Sequence, residues 1–172
     1  MSSSYQPPEA LSGRHDLGSF RCHSSEQTEW LHRYARQPAS MGTTRVFVVT
    51  EHVGNPVVAY YAWCMAQVGP DRAMERLRKG AGRYRQPVAL LARLGVDTGH
   101  EGRGLGVGLL QDVFVRLLEL SADIGCRGLI VQAASAEARE FCLHLVPEFE
   151  PSPTDEFHLL LLMKDIRRAF RS

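Results

Sequence analysis

A chain of 172 residues is long enough for one well-packed domain and short for two. A hydrophobic fraction of 44% and a charged fraction of 23% exclude a disordered or fibrous protein, and a net charge of +1 excludes a strong overall field for nucleic acid. No apolar run reaches the roughly 18–20 residues of a membrane helix, and the first ten residues lack the basic start and apolar stretch of a signal peptide, so a cytoplasmic protein with no membrane partner is expected.

In chain order, residues 1–16 are rich in Ser, Pro and Gln and read as a flexible N-terminal arm, leaving residues 17–172 as the single domain. Trp30, Leu31 and Tyr34 recur at helical spacing, which predicts a helix over residues 26–36 with Ser24 or Ser25 as its N-cap. Residues 45–50 and 56–68 are β-branched and aromatic and flank Gly54-Asn55, the pattern of a hairpin. Residues 72–85 carry Arg72, Arg76, Arg78, Lys79, Arg83 and Arg85 against the single acid Glu75. With Gly80 and Gly82 behind them, these residues predict a short helix near 72–78 and an exposed loop, either a solvated surface or a phosphate-binding patch.

Residues 87–96 form an apolar run broken only by Arg93, as expected of a strand buried on both faces at the centre of a sheet. Leu105, Leu109, Leu110, Val113, Leu117 and Ile124 then predict an amphipathic helix. Residues 126–132 read as a buried strand, Ser135 as the cap of a helix ending near Leu145, and residues 157–163 as the last strand. Strands dominate the first half and β and α alternate after it, which gives a mixed α/β domain. Cys22, Cys64, Cys126 and Cys142 are scattered without a CxxC pair, and His100, His144 and His158 lack ligand spacing. Free thiols, structural or surface histidines and no metal are expected.

The segment that carries chemistry follows the central strand. Glu101, Gly102, Arg103, Gly104, Leu105 and Gly106 lie between a buried strand and a helix start. Glycines let the backbone turn sharply and approach an anion, the helix start offers unpaired N–H groups and a positive dipole end, and Arg103 adds a cation. A pyrophosphate suits that arrangement. A P-loop would need Gly-Lys-Ser or Gly-Lys-Thr, which is absent, and a dinucleotide fingerprint would need Gly or Ala where Leu109 stands.

These residues resemble the Arg/Gln-x-x-Gly-x-Gly/Ala signature of GNAT acetyltransferases, with Gly104 and Gly106 at the glycine positions and Glu101 in place of the usual Gln or Arg. The substitution puts a carboxylate near the pyrophosphate. The resemblance is closer to the TacT-type toxins of bacterial toxin–antitoxin pairs, carried by the run from Leu90 to Asp97, the Gly-Arg-Gly-Leu-Gly turn at 102–106, the Glu-Pro-Ser-Pro-Thr-Asp segment at 150–155 and the closing strand from His158. It covers most of the chain from about residue 17.

The resemblance implies a GNAT fold, an α/β fold with a mixed, mostly antiparallel twisted sheet flanked by helices. It implies transfer of an acetyl group from acetyl-CoA to the α-amino group of aminoacyl-tRNA, blocking translation. It also implies a homodimer held inactive by a small antitoxin, commonly of ribbon-helix-helix type. The residues it assigns to acetyl-CoA are Leu94, Gly95, Val96, Glu101, Gly102, Arg103, Gly104, Leu105, Gly106 and Ser135, and those it assigns to tRNA are Arg78, Lys79, Arg83 and Arg85. The family's general acid is a Tyr after Phe in the helix following the fifth strand; here that pair is Phe141-Cys142. Cys142 thus stands either as a shorter acid or as a packing thiol. Two other readings stay open: a GNAT acting on a small amine or a protein N-terminus, and a catalytically weakened CoA-binding module.

Overall fold

The structure is a computed structural model that describes residues 4–69 and 84–169. Seven strands form one sheet in the order β1-β2-β3-β4-β5-β7-β6. They are β1 (Glu9–Ala10), β2 (Arg45–Thr50), β3 (Val57–Val68), β4 (Gln86–Val96), β5 (Gly128–Gln132), β6 (Glu150–Pro151) and β7 (His158–Leu162). Among the described residues the helices are α1 (Ser25–Arg33), α2 (Arg36–Met41), α3 (Leu105–Ser121), α4 (Ala136–Leu145) and α5 (Met163–Ala169). β1 with β2, β2 with β3, β5 with β7 and β6 with β7 are antiparallel, and β4 with β5 is parallel. The mixed, mostly antiparallel sheet expected from the sequence is present, with β4 fourth of seven. The chain divides into two compact units, residues 1–64 with 93–112 and residues 65–92 with 113–172.

In the first unit, the period-2 pattern of β2 and β3 turns Val46, Val48, Tyr60 and Ala62 to one face. Leu31 of α1 and Phe20 pack on them, all buried. Ser24 caps α1, its hydroxyl accepting from the Gln27 amide. Gly54, at φ 125°, makes the hairpin reversal that Gly54-Asn55 foretold.

The expected loose arm differs from residue 4 onward. Tyr5 bridges to Glu51, Glu9 and Ala10 pair with Val48 and Phe47, and the Leu11 amide donates to the Val46 carbonyl at 2.9 Å. Arg36 adds bonds to the carbonyls of Ser12 and His15. Glu9 meets both Arg14 and His15, and these partners hold its carboxyl below the usual range, the His15 hydrogen bond being the largest cause. A two-residue strand has no sequence period of its own, which is why composition alone suggested a free arm.

In the second unit, Leu90, Ile130 and Leu160 align across β4, β5 and β7. Val68, Val88, Leu160 and Leu162 form a buried cluster with Ala66 and Ile130 against it. The helix expected as far as Ile124 ends at Ser121, and Ile124 is half exposed beyond it. The closing strand stops at Leu162, and Met163 begins α5, an element the sequence reading missed. The basic helix and loop expected over 70–86 lie outside the described residues except at their end, where Tyr84 and Arg85 are exposed.

Gly128 opens β5 because a Cβ there would collide with the Leu161 carbonyl on the paired strand. Gly128→Ala is therefore expected to destabilise the protein by about 1–3 kcal/mol through overpacking. The denaturant midpoint should fall with an unchanged slope.

Candidate functional site

β4 leaves the sheet through a braced corner. The Asp97 amide donates to the Val58 carbonyl at 2.8 Å, and the Asp97 carboxylate accepts from the amides of Arg21 (2.8 Å) and Gly99 (2.9 Å). The Gly99 bond caps a single 3-10 turn, Thr98–His100. The chain then passes through Gly102 at φ 74° and Gly104 at φ 81°, left-handed values that favour glycine. A Cβ at either position would meet nothing within 4 Å, so the glycines answer to the backbone conformation and leave open space above it.

The Gly104 carbonyl accepts the first α3 hydrogen bond, from Gly108 at 3.0 Å. The amides of Leu105, Gly106 and Val107 consequently have no acceptor within the helix, and they sit at the positive end of its dipole. Such a cradle fits a pyrophosphate: donors converge at the helix start, left-handed glycines bring the backbone close, and no side chain fills the space.

The neighbouring side chains are engaged rather than loose. Both carboxylate oxygens of Glu101 lie near His23 Nε2, at 2.9 and 3.1 Å, on the exposed side of the turn. The charge that departs from the family pattern thus has its own cation partner when His23 is protonated. Arg103 donates to the Tyr5 hydroxyl at 3.1 Å, and Tyr5 is also 2.8 Å from His100 Nδ1.

Gly95 has a different reason from the turn glycines. A Cβ on it would come within 3.3 Å of Tyr60 and 3.4 Å of Cys22 and Phe20, so a bare backbone is what lets β4 lie against that cluster. Arg93, which interrupts the apolar run, donates to Glu26 at 3.1 Å and Gln27 at 3.2 Å, and its guanidinium lies 4.9 Å from the centre of the Trp30 ring. The register of β4 with β5 covers Ala89, Leu90 and Leu91, while β4 itself runs on to Val96.

In the second unit, the Ser135 hydroxyl accepts from the Ala138 amide at 3.1 Å and so caps α4. Cys142, on the same helix, is buried, 6% exposed, and burial pushes its thiol up to about 11. A cavity of about 150 Å³ opens over the face of β4, β5 and β7, with Leu90, Ile130 and Leu160 as its floor and Gln132, Thr154 and His158 among its walls.

No protein-family profile matches the chain. It is 38% identical over 165 residues to the tRNA-acetylating toxin of Mycobacterium tuberculosis, covering 96% of each chain. The chain belongs to the family of tRNA-acetylating toxins. Solved toxins of like fold include a tyrosine-to-phenylalanine mutant of KacT, with TM-score 0.89, 20% identity and coverage of 98% of this chain and 100% of that one. AtaT complexed with acetyl-methionyl-tRNAfMet gives a TM-score of 0.86 at 22% identity, over 96% and 99% of the two chains. A mutant AtaT bound to the C-terminus of its antitoxin AtaR and to acetyl-CoA gives 0.83 at 22% identity, over 99% and 100%.

Within this toxin fold, Leu94, Gly95, Val96, Glu101, Gly102, Arg103, Gly104, Leu105 and Gly106 fall on one strand, turn and helix start in the first unit. Ser135 caps α4 of the second, and Cys142 falls on that helix. Arg78, Lys79 and Arg83 lie outside the described residues, and Arg85 is exposed just before β4. The sequence reading missed Tyr5, His23 and Arg93 as partners of this region. Their contacts join residues 66 to 98 positions apart, which no local spacing reports. Among the described residues no group of three or more His, Cys, Asp or Glu is placed to hold a metal, and no helix is long and apolar enough to cross a membrane.

Cys142 should behave as a buried thiol. At pH 8 iodoacetamide should leave it unmodified in the folded protein and label it fully after unfolding, as read by peptide mass spectrometry. The unfolded thiol ionises near its ordinary 9.0 and the folded one near 11. The stability its burial supports is therefore complete below pH 9 and is lost as pH rises toward 11, because the unfolded state gives up its proton first.

Proposed function

We propose that this chain transfers an acetyl group from acetyl-CoA to the α-amino group of aminoacyl-tRNA, and that it thereby acts as a toxin that blocks translation. The observation that carries the reading is the 38% identity across 96% of both chains to a tRNA-acetylating toxin. The fit of the turn to a pyrophosphate supports it, as do solved toxins of the same fold complexed with acetyl-methionyl-tRNAfMet and with acetyl-CoA.

When bound, acetyl-CoA supplies an activated acetyl thioester. The main-chain amides from Arg103 to Gly106 would hold its pyrophosphate, with Gly102 and Gly104 shaping the cradle. The backbone of Leu94, Gly95 and Val96, beyond the register with β5, would pair with the pantetheine amides. Ser135 keeps its hydroxyl on the helix cap and would contribute through its place at the start of α4. The acceptor asks little of a general base: an α-amino group has a reference pKa of about 7.7–8.0, so an appreciable fraction is neutral at pH 7. The carbon–nitrogen bond forms as the carbon–sulfur bond breaks; the amine releases a proton and the departing sulfur needs one.

In this chain Cys142 takes the place of the family's tyrosine acid. Burial keeps it a thiol throughout the neutral range, and at about 11 it gives up its proton less readily than an ordinary tyrosine at ~10. That observation favours a toxin with normal acetyl-CoA binding and slowed turnover. Arg78, Lys79, Arg83 and Arg85 would meet tRNA phosphates. A small antitoxin of ribbon-helix-helix type, a homodimer and a cytoplasmic location complete the reading; AtaT, of the same fold, is bound by the C-terminus of its antitoxin AtaR.

Two experiments test this reading. Gly104→Val should remove CoA binding in calorimetry while the protein stays folded, since a β-branched residue resists φ 81°; unchanged affinity would remove the turn from the site. Labelled acetyl-CoA and bulk charged tRNA should yield labelled acetyl-aminoacyl-tRNA, and Cys142→Tyr should raise the single-turnover rate at least about tenfold, a part of the range for general-acid help. Label on small amines alone would overturn the tRNA assignment, and equal rates would show that position 142 is not the acid.

A further inference from the structure

Residue 5, which composition placed in a loose arm, closes on the Gly-rich turn. Tyr5 is 9% exposed, and its ring meets His100 edge-on with centroids 5.6 Å apart. Its hydroxyl lies 3.1 Å from Arg103 Nη1 and 2.8 Å from His100 Nδ1. The chemistry of these groups fixes the direction of the first bond. A guanidinium only donates, so the tyrosine oxygen accepts from Arg103, while the direction of the Tyr5–His100 bond follows the imidazole tautomer. The other ring nitrogen, Nε2, faces Glu51 Oε1 at 3.8 Å. The arm is held in place independently, by the Tyr5 bridge to Glu51 and by the Gln6 amide donating to the Thr50 carbonyl at 2.9 Å.

We propose that Tyr5 is a positioning residue for the pyrophosphate end of acetyl-CoA, acting through Arg103; the inference rests on the reading of the 102–106 turn as the acetyl-CoA site. Arg103 stands between the two left-handed glycines, where the chain has least conformational restraint of its own. An arginine side chain there would otherwise sample many rotamers, and ordering it on binding opposes affinity. The Tyr5 hydroxyl fixes its direction beforehand, and His100 fixes the hydroxyl. The N-terminal arm is thereby part of the donor site rather than a tether to it.

The test uses the full chain and measures binding rather than turnover. Tyr5→Phe keeps the ring, its burial and the edge contact, and removes only the oxygen; His100→Phe keeps a ring beside Tyr5 and removes the Nδ1 partner of the hydroxyl. Both are expected to lower the calorimetric affinity for CoA by about threefold to tenfold, in keeping with one charge-assisted hydrogen bond acting at a remove. Pantetheine, which lacks the pyrophosphate, should bind all variants alike. In an Arg103→Ala background, Tyr5→Phe should cause no further loss, because the two act as one unit. Undiminished CoA affinity in Tyr5→Phe would overturn the proposal, as would an equal loss for pantetheine or a full further loss without Arg103. If the unaltered protein fails to bind CoA, the site reading itself falls and this inference with it, an outcome distinct from a wild-type site that binds CoA and ignores Tyr5.

Discussion

The left-handed backbone at Gly102 and Gly104 is the constraint from which the rest of the site follows. A side chain at φ near 80° brings its Cβ toward the neighbouring carbonyl, at a cost of roughly 1–2 kcal/mol per residue. With glycine the chain makes the reversal freely, so β4 passes into α3 within a few residues. The Gly104 carbonyl is the first acceptor of that helix, so the turn also sets where the helix begins and which amides remain unpaired. Everything α3 buries depends on this starting point: Leu109 and Leu110 face inward only in the phase the turn imposes.

The parallel pairing of β4 with β5 makes a second demand. Parallel neighbours cannot be joined by a tight hairpin and need a crossover, and α3 is that crossover. The same helix therefore serves both as the connection the sheet requires and as the anion-binding end the chemistry requires. At the corner the polar groups of the backbone are answered one by one, the Arg21 amide donating to the Asp97 carboxylate and the Thr98 amide to the Arg21 carbonyl. A corner so braced holds the cradle without help from the ligand.

Charge is placed with equal economy. Arg93 would be out of place in a buried strand, yet it meets Glu26, Gln27 and the face of Trp30, so its cation is never left without a partner. Glu101 departs from the family pattern in sign, and His23 lies against its carboxylate. Cys142 shows the opposite case, a titratable group with burial as its dominant influence, and it stays neutral for that reason. These three residues look alike as departures from pattern but differ in what surrounds them.

The sequence by itself determined the elements whose signals are local. The alternation in β2 and β3, the helical spacing in α1 and α3, the cap Ser135 and the turn glycines each lie within a few residues of the structure they specify, because backbone dihedrals and neighbouring hydrogen bonds are set at short range. The motif was legible on the same ground, and its resemblance to the toxin family carried the acetyl-CoA and tRNA expectations. Tertiary structure alone decided the rest. β1 and β6 are two-residue strands that exist because a neighbouring edge accepts them, and α5 follows β7 without a break in the apolar pattern. The partners of Arg93, Glu101 and Arg103 are 66 to 98 residues away in the chain, and a side chain's partner at that distance is chosen by how the strands register and not by any spacing that can be read along the sequence.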